Sequence, residues 1–292
     1  MEFRNITLFR FSPLVGMDVS VRLPVVVHEH PLRDVGPLEM STQGFVPPTI
    51  HSGEFVGAQV GTQSKILPAA AISLRVARKV AEIAEREGRK VSGRERKRIR
   101  EDVITDMLPG APVREARISS YADTIRGWLV IGTASRKAAE NVVSQYREAL
   151  GSFPAVPLAP EEGPRVLMTD WLANGSLPAG LALGDECELR DPASNTGAIV
   201  RCRRMELESN EVREHLRNGM QVYRLGLVYD DRLSFVLGED LTLRKVTLLD
   251  DCFPDDEPTE QQAMFTLATL ELNRLLAAMA EWFAIPRPGD VA

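Results

Sequence analysis

The 292-residue chain has little cysteine, no long uninterrupted apolar run and no excess of positive charge. Cys187, Cys202 and Cys252 are odd in number and lack CxxC spacing. That argues against a zinc site and for free thiols buried in a reducing cytosol. The opening MEFRNITLFRFS carries charges inside its apolar stretch and has no small-residue cleavage site, so it does not read as a secretory signal. The most apolar segment, near 263–285, is interrupted by Glu271, Arg274 and Glu281, and no membrane span is expected. GxxxxGK[ST], GxGxxG after a strand, GxSxG and HExxH are all missing, which removes the common nucleotide, hydrolase and zincin signatures. Finally, 35 Lys and Arg against 41 Asp and Glu give a formal charge of −6. Taken as a total, that speaks against a nucleic-acid partner, because phosphate neutralisation needs cations.

What is present is the composition of an ordinary globular protein, 44% hydrophobic and 26% charged. Phe3–Phe11 reads as a strand, Pro24–His30 as a short helix with Pro24 in its first turn, and 44–48 as a turn or extended stretch. A strand at Val56–Gln63 precedes a helix from Pro68 to Lys90, whose apolar stripe is Ile72, Val76, Val80 and Ile83. Ser92 and Glu95 form an S-x-x-E capping box, opening a second helix to about Leu108 with Ile99, Val103 and Met107 inward. Pro109-Gly110 stops it, and the two helices make a hairpin. Strands at Val113–Tyr121 and Trp128–Gly132 follow, then a helix at Arg136–Leu150. The prolines at 154, 157, 160 and 164 read as a linker and domain boundary. Beyond them come a short helix around Thr169–Ala173, strands at Glu186–Arg190 and Ala198–Met205, and a helix at Asn210–Asn218. A meander of Val222–Tyr229, Leu233–Leu237 and Leu241–Leu248 leads through an acidic loop, Asp250–Glu257, to a final helix capped by Thr259 and Gln262. Helices and strands do not alternate as βαβ units, so the expected class is α+β.

Charge is unevenly placed. Between Arg86 and Arg100, eight basic residues face only Glu87 and Glu95, a net +6; from Asp250 onward nine acidic residues and two arginines give −7. Arg75, Arg78, Arg86 and Arg89 fall near one stripe of the first helix. This hairpin is either a solvated surface or a footprint for phosphates. A second group sits on the strand 198–205, where alternation puts Arg201 and Arg203 on one face, with Arg204 at the end. Three arginines in four residues repel unless water or an anion faces them. His28-Glu29-His30 reads as solvated or capping histidines rather than metal ligands. The aspartates at 250, 251, 255 and 256 read as a solvated loop, with a magnesium-dependent nuclease as the distant rival. The last helix, through Leu276, Met279 and Phe283, is apolar around most of its circumference. It is either buried in its own domain or part of a contact between two copies.

Several segments together resemble the recombination-associated RdgC family. They are Gly44-Phe45-Val46-Pro47-Pro48, Lys65-Ile66-Leu67-Pro68, Leu108-Pro109, Leu150-Gly151-Ser152 with Val156-Pro157-Leu158, Asp170-Trp171, and the run from Gly197 through the arginine strand to His215. The resemblance implies an α+β fold in three parts: a central αβ unit (1–65 and 113–160), a helical tip (66–112) and a base (161–292). It implies a homodimer closed at tips and bases into a ring around double-stranded DNA. Such a protein binds without sequence preference, restrains the RecA recombinase, works on the nucleoid in the cytoplasm, and has no catalysis, metal or cofactor. The expected DNA-facing residues are Arg75, Arg86, Arg89, Lys90, Arg94, Arg96, Lys97 and Arg98 in the tip, with Arg201, Arg203 and Arg204 on the inner wall. The expected contacts between copies are Leu108, Pro109 and Pro112 at the tip, and Leu276, Met279 and Phe283 at the base. Where the family often has a basic and then an aromatic residue after Leu-Pro, this chain has Gly110, Ala111 and Pro112. A protein-interaction module using the basic hairpin on an acidic partner is the alternative.

Overall fold

A computed structural model of the chain describes residues 3–161, 163–193, 197–250 and 261–286. In chain order the elements are β1 (Asn5–Arg10), α1 (Gly16–Glu29), β2 (Ser41–Ser52), β3 (Phe55–Lys65), α2 (Ala69–Glu87), α3 (Gly93–Met107), β4 (Val113–Asp123), β5 (Trp128–Ile131) and α4 (Arg136–Leu150). They continue with β6 (Val156–Pro157), α5 (Pro164–Asn174), β7 (Leu181–Arg190), β8 (Ile199–Arg203), α6 (Asn210–Arg217), β9 (Gln221–Tyr229), β10 (Leu233–Gly238), β11 (Leu243–Leu248) and α7 (Gln261–Trp282). The strands run in the order β2-β3-β4-β5-β1-β11-β10-β9-β7-β8, with β6 paired to β1. Mixed helices and a large antiparallel sheet make the class α+β.

Contacts group the chain into two units. One comprises 1–29, 47–59 and 118–292, the other 30–46 and 60–117. In the first unit, one face of β7–β11 carries Cys187, Leu189, Cys202, Leu225, Leu227, Phe235, Leu237 and Leu243, all buried. These join Met168 and Trp171 of α5 and Phe265, Leu272, Leu275 and Leu276 of α7 in a single apolar core. In the second unit, Ile72 and Val76 of α2 meet Ile99 and Val103 of α3, with Val80, Ile83 and Met107 packed alongside. Those are the two stripes expected from helical spacing. Ser92 caps α3, its hydroxyl accepting from the Glu95 N–H at 3.2 Å.

Several elements differ from expectation. α1 begins at Gly16, so Pro24 lies inside it rather than in its first turn. The buried face of Val19, Leu23, Val26 and Val27 carries the helix past the proline. Residues 44–48 lie within β2. α2 ends at Glu87, because Gly88 takes a left-handed φ of 60° that a side chain would resist. Arg89 therefore follows the helix instead of extending its stripe. α5 starts five residues before the expected Thr169, with Pro164 in its first turn. The proline-rich stretch is a packed connection: Phe153 and Ala155 are buried, and Arg147 donates to both of their carbonyls.

α7 is long and apolar enough to cross a membrane by length and composition. Its apolar side is nonetheless built into the core, and the charge that interrupts it is satisfied there. Glu271, 4% exposed, accepts from Arg232 Nε at 2.9 Å and Nη2 at 2.6 Å. Of the two roles open to Leu276, Met279 and Phe283, the structure gives burial. All three are at most 1% exposed within a single chain, packed in its own core. Thr259 of the expected cap, Cys252 and the aspartates at 251, 255 and 256 lie outside the described residues.

Met279→Ala should lower stability by roughly 2–5 kcal/mol, as for a core truncation, in urea unfolding. The mass of the protein in solution should stay that of the wild type. A change of mass without loss of stability would return Met279 to an interface.

Candidate nucleic-acid interface

The face of β7–β11 opposite the core is polar, and strand pairing gathers its charges. Cys187 pairs with Cys202 across β7 and β8, so Glu186 lies opposite Arg203 and Glu188 opposite Arg201. On the other side of β7, Glu188 lies opposite Arg224 of β9. Arg244 of β11 pairs with Val236 of β10, and Lys245 follows at a ladder irregularity with φ 52°. The thiols behind this face are free and buried; burial and the neighbouring Cys202 thiol push Cys187 upward, so it stays protonated.

A concavity of about 1230 Å³ opens on this face, lined by Asp185, Glu186, Arg203, Arg204, Glu206, Lys245 and others. Gly184 and Gly226 are part of its lining. A Cβ on Gly184 would meet the Gly226 carbonyl carbon at 2.9 Å, and one on Gly226 would meet the Glu186 carbonyl oxygen at the same distance. Only glycine permits that approach of β7 to β9. A smaller pocket beside it is lined by Glu188, Arg201, Arg224 and Arg244.

Among the described residues the cations divide into held and unheld. Lys245 is held by Glu186, its Nζ 2.6 Å from Oε2. Arg190, Arg201 and Arg224 all donate to the buried Glu188. Burial would raise the Glu188 carboxyl, but the guanidinium hydrogen bonds outweigh it and hold it below the usual range, so it remains ionised. Arg190 also stacks on Tyr223 at 4.7 Å, with Arg165 at 5.2 Å from the same ring. Arg203 and Arg204 are exposed and have no protein partner among the described residues. Arg244 likewise has none, and its Nε is buried without a hydrogen bond. The six cations of the two pockets outnumber four carboxylates in a chain whose total is −6.

The structure brings together the three sequence-expected arginines 201, 203 and 204, and adds Arg190, Arg224, Arg244 and Lys245. Those four were not legible: they come from three other strands, Arg190 from β7, Arg224 from β9 and both Arg244 and Lys245 from β11, and only the strand order makes them neighbours.

The second unit holds the other expected cations. Arg75, Arg86, Lys90, Arg94, Arg96, Lys97 and Arg98 are all exposed on α2, α3 or the corner between them. Arg89 is exposed too and is paired: its Nη1 and Nη2 each lie 2.7 Å from Glu95, and its Nε 2.8 Å from Glu87. The Glu95 side chain thus serves Arg89. Arg86 contacts Glu87 at 3.1 Å. Arg96, Lys97 and Arg100 line a small hollow with Ser73 and Gly93.

Of the expected tip contacts, Leu108 is buried while Pro109 and Pro112 are exposed. Lys65 organises this end: its buried Nζ donates to the Pro37 and Leu108 carbonyls, each at 2.7 Å. Backbone bonds from Lys65 N to Met40 O and Ile66 N to Pro112 O bring the segments side by side. Leu38, Met40, Ile66 and Val113 are exposed there, 44–65%. No group of three His, Cys, Asp or Glu side chains that could hold a metal ion occurs among the described residues, and His28 and His30 belong to none.

Comparison with known proteins adds the family. A family model described as "Putative exonuclease, RdgC" matches residues 1–285. A recombination-associated protein RdgC of Xanthomonas oryzae pv. oryzae is 44% identical over 94% of this chain and 95% of its own. One from Xanthomonas campestris pv. campestris is 42% identical over 96% and 97%. One from Xylella fastidiosa is 42% identical over 94% and 95%.

Lys65→Met should cost roughly 2–5 kcal/mol in urea unfolding, since it strands two carbonyls that accept charge-assisted bonds. Wild-type stability would show that the ammonium does not organise this end.

Proposed function

Because the chain belongs to the RdgC family of recombination-associated proteins, we propose that it binds double-stranded DNA through the phosphate backbone, without preference for base sequence. The observation that carries this reading is the arginine face of β7, β8, β9 and β11, where Arg203, Arg204 and Arg244 have no protein partner among the described residues. An unpaired guanidinium offers five N–H donors in a planar fork suited to phosphate oxygens. Phosphate contacts fix register on the duplex and carry no sequence information. The +6 of Arg86–Arg100 supplies a second cationic surface, carried by Arg86, Arg89, Lys90, Arg94, Arg96, Lys97 and Arg98.

Assembly follows the family resemblance. Two copies close a ring around the duplex, each built as a central part, a tip and a base. The apolar end at Pro109 and Pro112, with Met40, Ile66 and Val113, supports a tip contact. The base contact is the one expected around Leu276, Met279 and Phe283, whose side chains are buried within a single chain. A protein that occupies duplex in this way restrains RecA by mass action, because DNA inside the ring is withheld from the recombinase, and it works on the nucleoid. Its acidic remainder, −12 once Arg86–Arg100 is set aside, limits cation-driven contact elsewhere on the surface.

The function requires no chemistry. The description of the family model names an exonuclease, and that is the one reason to keep a second reading. Linear duplex incubated with magnesium or manganese should stay full length. Progressive shortening that is lost in Asp255→Ala would establish the nuclease instead.

Binding itself should weaken linearly in log K against log salt, with a slope near −0.9 per neutralised phosphate. Arg204→Ala should weaken binding to unrelated duplexes by similar factors and make the slope shallower by about one phosphate equivalent. Unchanged affinity would remove Arg204 from the interface, and a salt-independent wild type would favour a protein partner for the basic surfaces.

A further inference from the structure

A carboxylate at the centre of a surface meant for phosphate is, by charge alone, a fault. Glu188 is 3% exposed and sits where β7, β8 and β9 meet. Its Oε1 accepts from Arg190 Nε at 2.8 Å and Nη2 at 2.5 Å. Its Oε2 accepts from Arg201 Nε at 2.8 Å and Arg224 Nη1 at 3.5 Å. Every acceptor position is thus taken by a guanidinium, one from each of three strands.

The atoms used matter as much as the number. Arg201 is gripped by Nε alone, which leaves all four Nη–H donors for another acceptor. Arg224 gives one Nη and keeps Nε and the other Nη. Arg190 keeps Nη1 and is further fixed by its stack on Tyr223. The cluster is a net +2, with its side chains pinned at one edge and their remaining donors available. Freed of the carboxylate, three guanidiniums packed so closely would repel and disperse over many rotamers, and the ordering cost would fall on DNA binding instead.

We propose that Glu188 is a positioning residue of the DNA interface, holding Arg190, Arg201 and Arg224 in the arrangement that meets the phosphate backbone. The inference rests on the duplex-binding reading of this face and assigns a role within it to a negatively charged residue.

Charge and positioning predict opposite signs, which makes the proposal testable. Glu188→Gln removes one negative charge from the face at nearly constant shape, raising its net charge by one. If only the sum of charge mattered, affinity for a mixed-sequence duplex would rise and the salt slope would steepen by about 0.9. The expected result is the reverse: affinity falls about tenfold, the size of losing one charge-assisted hydrogen bond, and the slope becomes shallower. Glu188→Asp keeps the charge and shortens the reach, so it too should bind more weakly. Tighter or unchanged binding in both folded variants overturns the proposal. The wild type offers a check that needs no variant: the Nε–H protons of Arg190 and Arg201 should exchange with water far more slowly than that of exposed Arg217. Equal exchange would also overturn it. A wild type that fails to bind duplex at all would defeat the duplex reading, an outcome distinct from either of these.

Discussion

Two-residue alternation along β7 and β8 is the constraint on which the interface depends. Cys187 and Leu189 point into an apolar core shared with α5 and α7, which obliges Glu186 and Glu188 to point the other way. The same rule sends Cys202 inward and Arg201 and Arg203 outward. A slip of one residue would bury two arginines and expose two cysteines, so the core that stabilises the first unit also holds the register of its charged face. Gly184 and Gly226 complete the arrangement from the backbone side, letting β7 and β9 approach where any side chain would intervene.

Placement of charge, and not its total, decides what such a protein can bind. A formal −6 argues against DNA only if charge is spread evenly, and here it is not. Pairing sharpens the distinction. Arg89, Arg190, Arg201, Arg224 and Lys245 each have a carboxylate, whereas Arg203, Arg204 and several residues of α3 have none among the described residues. A cation already hydrogen-bonded to a carboxylate releases fewer counterions on meeting phosphate, so a count of arginines overstates the interface.

Much of the fold was legible because it is local. The stripes of α2 and α3, the Ser92 cap and the ends of α4 follow from spacing and capping chemistry within a few residues. The three arginines of β8 were legible for the same reason. α1 starts earlier than Pro24 suggests, because Val19 and Leu23 already lie on its buried face and carry the helix through the proline. The rest of the site was hidden because it is not local. Arg224, Arg244 and Lys245 become neighbours of Arg201 only through the order β11-β10-β9-β7-β8, in which β7 pairs with β9 and not with β10. Likewise Glu188 reads in sequence as one acidic residue among many, and two of its three partners, Arg201 and Arg224, meet it only when the strands are assembled. Apolar composition could not say how deeply α7 is packed; the burial of Leu276, Met279 and Phe283 follows from what the sheet presents to them.

Chemical footprinting of arginines reads the central claim residue by residue. The protein would be treated with phenylglyoxal, with and without a saturating duplex, and modification followed by peptide mass. Protection of Arg203 and Arg204, with Arg136 and Arg217 modified at the same rate in both samples, is the result predicted here. Full reactivity of Arg203 and Arg204 in the presence of bound duplex would contradict it.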